Sequence, residues 1–167
     1  MSALKIRVFP DKILRKKAAK ISCVTDSEIA AFADMAETMY INNGIGLAAL
    51  QVGIDKQLAV VDIGSGIIRM ANPVIVKRIG AVEDEEGCLS VPDACVKVKR
   101  ARSVTVSFLN EKNEVVELRA DGLLARAVQH EIDHLSGFLI IDHLPPIKKF
   151  FLRAKLPGSS RIKGKRI

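Results

Sequence analysis

The sequence predicts an α+β fold. Two segments, one in the first third of the chain and one in the last, carry apolar residues at helical spacing. Between them lie runs that alternate apolar and polar residues, as half-buried strands do. The strands run together and the helices are not regularly interleaved with them, which argues against a parallel α/β sheet.

Taken in order, Asp11 to Lys20 reads as a short basic helix or turn. Thr25-Asp-Ser-Glu28 is a capping-box pattern, in which the Thr and Glu side chains each satisfy a free backbone N–H at a helix start. The helix it opens runs to about Ile41, with Ile29, Phe32, Met35, Ala36 and Met39 on one face, and Asn42-Asn-Gly44 stops it. A small-residue loop follows over residues 44–53. Leu58 to Ile63 and Ile67 to Ile79 read as strands about a Gly64-Ser-Gly66 turn, with Asn72-Pro73 as an interruption. Val82 to Glu86 is acidic. Ser103 to Phe108 alternates, Glu114 to Leu118 does so less strictly, and Asn110-Glu-Lys-Asn113 between them signals a hairpin. Asp121-Gly122 introduces a second helix to about Leu135, ended by Ser136-Gly137. Pro145-Pro146 starts a last helix, which Pro157-Gly158 must break.

With 167 residues, 49% of them apolar, the chain suits one domain with an aliphatic core, since tryptophan is absent. The expected division is a single catalytic domain over 1–147 and a basic C-terminal helix and tail over 148–167. That last stretch holds eight basic residues and no acids; the rest of the chain has 18 basic against 19 acidic residues. The tail thus carries the whole +7 excess and suits an anionic partner such as RNA. No apolar run approaches the ~18 residues of a membrane span. Three cysteines (Cys23, Cys88, Cys95) and a start broken early by charge and proline fit a reducing cytoplasm better than a disulfide framework.

The strongest chemical signal is His130-Glu-Ile-Asp-His134. On a helix, residues four apart share a face, so two imidazoles there can hold one metal with Glu131 beside it. The plainer reading is a pair of surface histidines near Asp133. A catalytic site of this type needs a third protein ligand and one open position. A later Glu would make a thermolysin-like site. A His six residues beyond His134 would make a metzincin, but Ile140 stands there and His143 comes three residues too late. Cysteine is the remaining strong donor, and spacing alone does not choose among the three.

Three segments together resemble the peptide deformylase family: Gly44-Ile-Gly-Leu-Ala-Ala-Leu-Gln51, Glu86-Gly-Cys-Leu-Ser90 and Gln129-His-Glu-Ile-Asp-His-Leu-Ser-Gly137. Pro10–Arg15 and Ala120–Leu124 are similar as well, so the likeness spans roughly residues 5–150. Leu50 stands where many members have Pro, and Asp93 where Gly is frequent. The resemblance implies Cys88, His130 and His134 as metal ligands and Glu131 as general acid/base. It implies that Gln51 and the Leu89 N–H polarise the formyl oxygen. Gly46 would admit the substrate backbone, and Ile45, Leu123 and Ala127 would line the pocket for the first side chain. The implied cofactor is one divalent ion, Fe²⁺ in the working enzyme and often Zn²⁺ or Ni²⁺ after isolation. The implied reaction is attack of a metal-generated hydroxide on the formyl carbon of a formyl-methionyl nascent polypeptide, releasing formate. The implied setting is the cytoplasm, with a weak ribosome contact through the basic tail and no membrane or DNA partner. The implied architecture is antiparallel or mixed sheet wrapped around the metal-bearing helix, with N- and C-terminal helices.

Rival readings are a small metalloprotease, which leaves residues 44–51 and 86–90 without a role, and a structural-metal or RNA-binding module, supported by the tail alone.

Overall fold

The computed structural model describes residues 3–146. The helix expected from Pro146 onward and the basic tail therefore lie outside the described residues. A 3-10 turn over Lys12–Arg15 comes first, inside the segment read as a basic helix or turn. Helix α1 then spans Asp26–Ile41. Its capping box forms as expected: Glu28 Oε2 accepts from the Thr25 N–H at 2.9 Å and Thr25 Oγ1 accepts from Ser27 N at 3.3 Å. Phe32, Met35, Ala36 and Met39 are buried, whereas Ile29, expected on the same face, is exposed.

The strands are β1 (Gly46–Ala48), β2 (Leu58–Val61), β3 (Ile68–Ile79), β4 (Val82–Cys88), β5 (Val91–Arg100), β6 (Ser103–Leu109) and β7 (Val115–Asp121). They form a five-stranded sheet ordered β1-β2-β3-β6-β7 and a separate β4-β5 hairpin. Every pairing is antiparallel. Helix α2 (Gly122–Leu135) packs back across one face of the sheet. Helix α1 covers the other face at the β1–β2 end.

Strand periodicity explains this sandwich. Successive side chains of a strand point to opposite faces. In β2, Ala59 and Val61 belong to the core under α2, and Leu58 and Val60 to the core under α1. In β1, Ala48 faces α2 and Leu47 faces α1. All six are fully buried, each worth roughly 1.5–3 kcal/mol for the larger side chains. This double burial explains why residues 44–53, read from sequence as a loop, instead hold a strand and a 3-10 turn (Ala49–Val52). Small residues fit between two helices, and the run is too short to show a period. A third core joins β5 to Leu14 and to the 3-10 turn Ile140–His143.

The β4–β5 hairpin is the second departure from the sequence reading. Residues 82–86 were legible only as acidic, and 91–100 carried no assignment. Their pairing sets Glu83 opposite Lys99 and Glu85 opposite Lys97, so the acidic run finds cross-strand cations. The expected interruption at Asn72-Pro73 is a register shift in β3. Asn72 has φ 51°, a left-handed conformation asparagine tolerates. Its amide clamps Ile21, accepting from Ile21 N at 3.0 Å and donating to Ile21 O at 2.8 Å. Asn113 clamps Val24 in the same way. Among the described residues no helix is long and apolar enough to cross a membrane.

Candidate metal centre and active site

His130 and His134 leave α2 from one face, one turn apart, and their rings meet edge to face at 4.8 Å. Cys88 arrives from the end of β4. Its Sγ lies 3.2 Å from His134 Nε2, which lies 3.1 Å from His130 Nε2. Donors around a tetrahedral ion with ~2.1 Å nitrogen and ~2.3 Å sulfur bonds sit about 3.3–3.6 Å apart. The thiol and two imidazoles thus fit a divalent metal in both chemistry and spacing, and the three donor atoms lie within 4.8 Å of one another. Among the described residues this is the cluster of three such groups that could hold an ion. His143 takes no part; its Nε2 sits 3.3 Å from Asp133 Oδ2.

The cluster is oriented by residues that the sequence did not single out. Glu86 Oε2 lies 3.0 Å from His130 Nδ1, turning His130 Nε2 toward the other donors. Arg100 donates to both Glu86 oxygens, at 2.6 and 2.9 Å, and to Asp133 Oδ2 at 2.7 Å. The Arg100 and Glu86 side chains are each only 5% exposed, so this is a buried, bidentate pair. The signal that could have found them was a charged residue inside each metal motif, Glu86 beside Cys88 and Asp133 beside His134. Their common partner, Arg100, lies at the far end of a strand the sequence did not reveal.

Glu131 lies beside the cluster and is 3% exposed. Burial pushes its carboxyl up to about 7 against the pull of the His130 and Arg100 charges. Glu86 behaves oppositely. Burial would raise it, but the hydrogen bonds with His130 and Arg100 win and hold it at about 2. His134 is depressed well below its usual range, first by burial and then by the charge on His130. For His130 burial acts downward, yet hydrogen bonds to Cys88 and Glu86 and the charges of Glu131 and Cys88 carry it up to about 10. Two carboxyl groups in one site are therefore driven apart, one fixed as an anion and one poised near neutrality.

Gln51, in the turn after β1, is buried. Its Oε1 accepts from the Ala48 N–H at 2.8 Å, which assigns the amide end and aims Nε2 toward Cys88 Sγ (3.7 Å) and Ser90 Oγ (3.2 Å). A cavity of about 580 Å³ opens over these groups. Ile45, Gly46, Gln51, Cys88, Leu89, Leu123, Ala127, His130 and Glu131, all read from the sequence as site residues, line it together. His134 lies beneath, 2% exposed. Ile45 and Leu123 are each 42% exposed, as apolar walls of an open cleft are.

This assembly has close counterparts. Residues 3–150 match the family model described as polypeptide deformylase. A peptide deformylase of Pseudoalteromonas translucida is 46% identical over 165 residues, covering 97% of this chain and 99% of the relative. One from Thermodesulfovibrio yellowstonii is 44% identical over 93% of this chain and 97% of its own length. The crystal structure of a peptide deformylase from Legionella pneumophila superposes with a TM-score of 0.88 at 41% identity, covering 99% of both chains. That of a Synechococcus elongatus peptide deformylase in complex with actinonin gives 0.84 at 40% identity, over 89% of this chain and 82% of that one. A family match along nearly the whole chain, on a fold that gathers a thiol, two imidazoles and a buried carboxyl at one cleft, leads to one conclusion: the chain belongs to the polypeptide deformylase family.

Proposed function

We propose that this metal-dependent hydrolase removes the formyl group from formyl-methionyl nascent polypeptides with Glu131 as its proton carrier. The observation that carries this reading is the buried Glu131 carboxyl set beside the Cys88–His130–His134 cluster at the floor of the cleft. A divalent cation held by those three donors would supply Lewis acidity and make water nucleophilic near neutral pH. Ferrous iron is the working ion we favour, because one thiolate and two imidazoles suit it as well as zinc, and the family resemblance tips the choice.

Glu131 accepts the proton of the attacking water as its oxygen bonds to the formyl carbon. The same carboxyl then returns that proton to the nitrogen as the C–N bond breaks, leaving formate and a free amino terminus. Gln51 Nε2 and the Leu89 N–H serve the oxygen that gains charge. Gln51 suits this role because its other end is already tied to Ala48, so the donor needs no reorganisation. Ile45, Leu123 and Ala127 receive the first side chain.

The cleft also suits an extended polypeptide. β1 is the edge of the five-stranded sheet and β4 pairs with β5 alone. Residues 44–46, which lead into β1, and residues 85–87 of β4 both line the cavity, so an extended peptide lying in it has two backbone segments to pair with. We assign catalysis to residues 1–147 and to the basic stretch 148–167 a weak contact with ribosomal RNA in the cytoplasm.

The experiment is formate release from formyl-Met-Ala by anaerobically prepared protein, alongside cleavage of an unformylated internal peptide bond. Formate release that falls about 10²–10⁴-fold in Glu131→Ala at unchanged metal content supports the reading. Turnover within a few-fold of the parent, or cleavage of the internal bond instead, overturns it.

A further inference from the structure

Gly46 is a glycine that its own backbone does not require. It lies in β1, paired with Val61, and is not among the glycines with positive φ. Any residue could adopt its conformation. What excludes a side chain is space. A Cβ built at Gly46 would lie 2.3 Å from Glu131 Oε1, 2.9 Å from Cδ and 3.1 Å from Cγ. Real Cβ atoms essentially never approach another heavy atom closer than 3.0 Å. At Gly87, across the cleft, a Cβ would meet nothing within 4 Å. At Gly44 it would meet the mobile end of Leu89, 3.1 Å away.

Glu131 Oε2 is buried and has no hydrogen-bond partner among the described residues. Packing, more than hydrogen bonding, therefore decides where this carboxylate sits. The bare backbone of Gly46 is one wall of the space that carboxylate fills.

We propose that Gly46 is a positioning residue for Glu131: the missing side chain holds open the volume from which the carboxylate reaches both the attacking water and the departing amine. This rests on the proton-carrier reading of Glu131. It also differs from admitting the substrate backbone, the role the family resemblance gives Gly46, because the two uses of the glycine move different kinetic constants. A methyl group here would drive the carboxylate aside by about 1 Å, a displacement that costs on the order of 10²-fold in rate. A group needed for substrate approach would raise KM instead.

The experiment is a double-mutant cycle on the metal-loaded enzyme. Gly46→Ala, Glu131→Ala and the double variant are compared for kcat and KM on formyl-Met-Ala, metal content and thermal midpoint. Gly46→Ala should lose about 10²-fold in kcat with KM within about threefold and its metal retained. On the Glu131→Ala background the same methyl should cost less than about twofold, because the group it displaces is gone. A raised KM at unchanged kcat overturns the proposal, and so do equal losses on the two backgrounds. If Gly46→Ala unfolds, the midpoint decides. Removing the carboxylate in the double variant should restore it, and a double variant that stays unfolded overturns the proposal. Turnover retained in Glu131→Ala alone overturns the proton-carrier reading and this proposal with it, whereas equal losses overturn only this proposal.

Discussion

Glu86 holds His130: its Oε2 lies 3.0 Å from His130 Nδ1, on the ring edge opposite the cluster of donor atoms. The same carboxylate is gripped by Arg100, which is gripped in turn by Asp133, one residue before the metal ligand His134. Arg100 thus braces His130 through Glu86, and ties that carboxylate to the helix at Asp133, while His134 Nδ1 is buried with no such partner among the described residues.

Glu86→Gln should keep all three donors and still weaken metal binding by about 10–100-fold, the usual scale for such an orienting partner. Competition against a chelator of known affinity measures it. Glu86→Ala should also destabilise the fold by about 3–5 kcal/mol, because it leaves Arg100 buried with half its counter-charge gone. Wild-type affinity in Glu86→Gln would show that the His130 ring is held by packing alone.

The three cysteines separate by function. Cys88→Ala, His130→Ala and His134→Ala should each abolish tight metal binding, read as metal per chain after gel filtration. Cys23→Ser and Cys95→Ser should leave that stoichiometry unchanged. Cys95 is the sharper control, since it lines the same cavity as Cys88 but stands outside the donor cluster. Full metal occupancy in Cys88→Ala would remove cysteine from the ligand set.

Gln51→Ala should lower kcat by about 10²–10³-fold at unchanged metal content, the cost of one preorganised donor at a developing oxyanion. The loss should fall on kcat more than on KM, because the donor matters most when charge gathers on the oxygen. An ordinary polar turn residue would show no kinetic effect.

Glu28 links stability to pH away from the metal centre. The hydrogen bond from Lys56 first, and those from Thr25 next, hold its carboxyl at about 2, below the usual 4.5. A group depressed on folding stabilises the native state above its unfolded value and loses that contribution as pH falls through its folded value. The Glu28 contribution should therefore be complete above about pH 4.5 and fade toward pH 2. Glu28→Gln should lower Tm at pH 7 by roughly 2–4 °C, taking about 1 kcal/mol for a damaged helix cap. The gap between variant and parent should close in acid. A gap that stays constant from pH 7 to pH 2.5 would mean that the ionised form of Glu28 contributes nothing.

What the sequence determined by itself was whatever rests on neighbours along the chain. A capping box needs residues three apart, a helical metal pair needs residues four apart, and a hairpin turn needs a short polar run. So Thr25–Glu28, His130–His134 and Asn110–Asn113 were legible at once, and the three motifs in order brought Cys88 and Gln51 with them through the resemblance. Only the tertiary structure decided what depends on distant segments meeting. Residues 44–53 become strand and turn because two helices bury both faces of β1. Residues 82–100 become a hairpin because Glu83 and Glu85 meet Lys99 and Lys97 across the strands, while Val91, Val96 and Val98 bury against Leu14 and residues 139–141. Arg100 acquires its role because burial makes a cation seek Glu86, 14 residues back, and Asp133, 33 residues on. Gly46 shows the same division: its letter was plain, but the carboxylate filling the space beside it lies 85 residues away in the sequence and next to it in the fold.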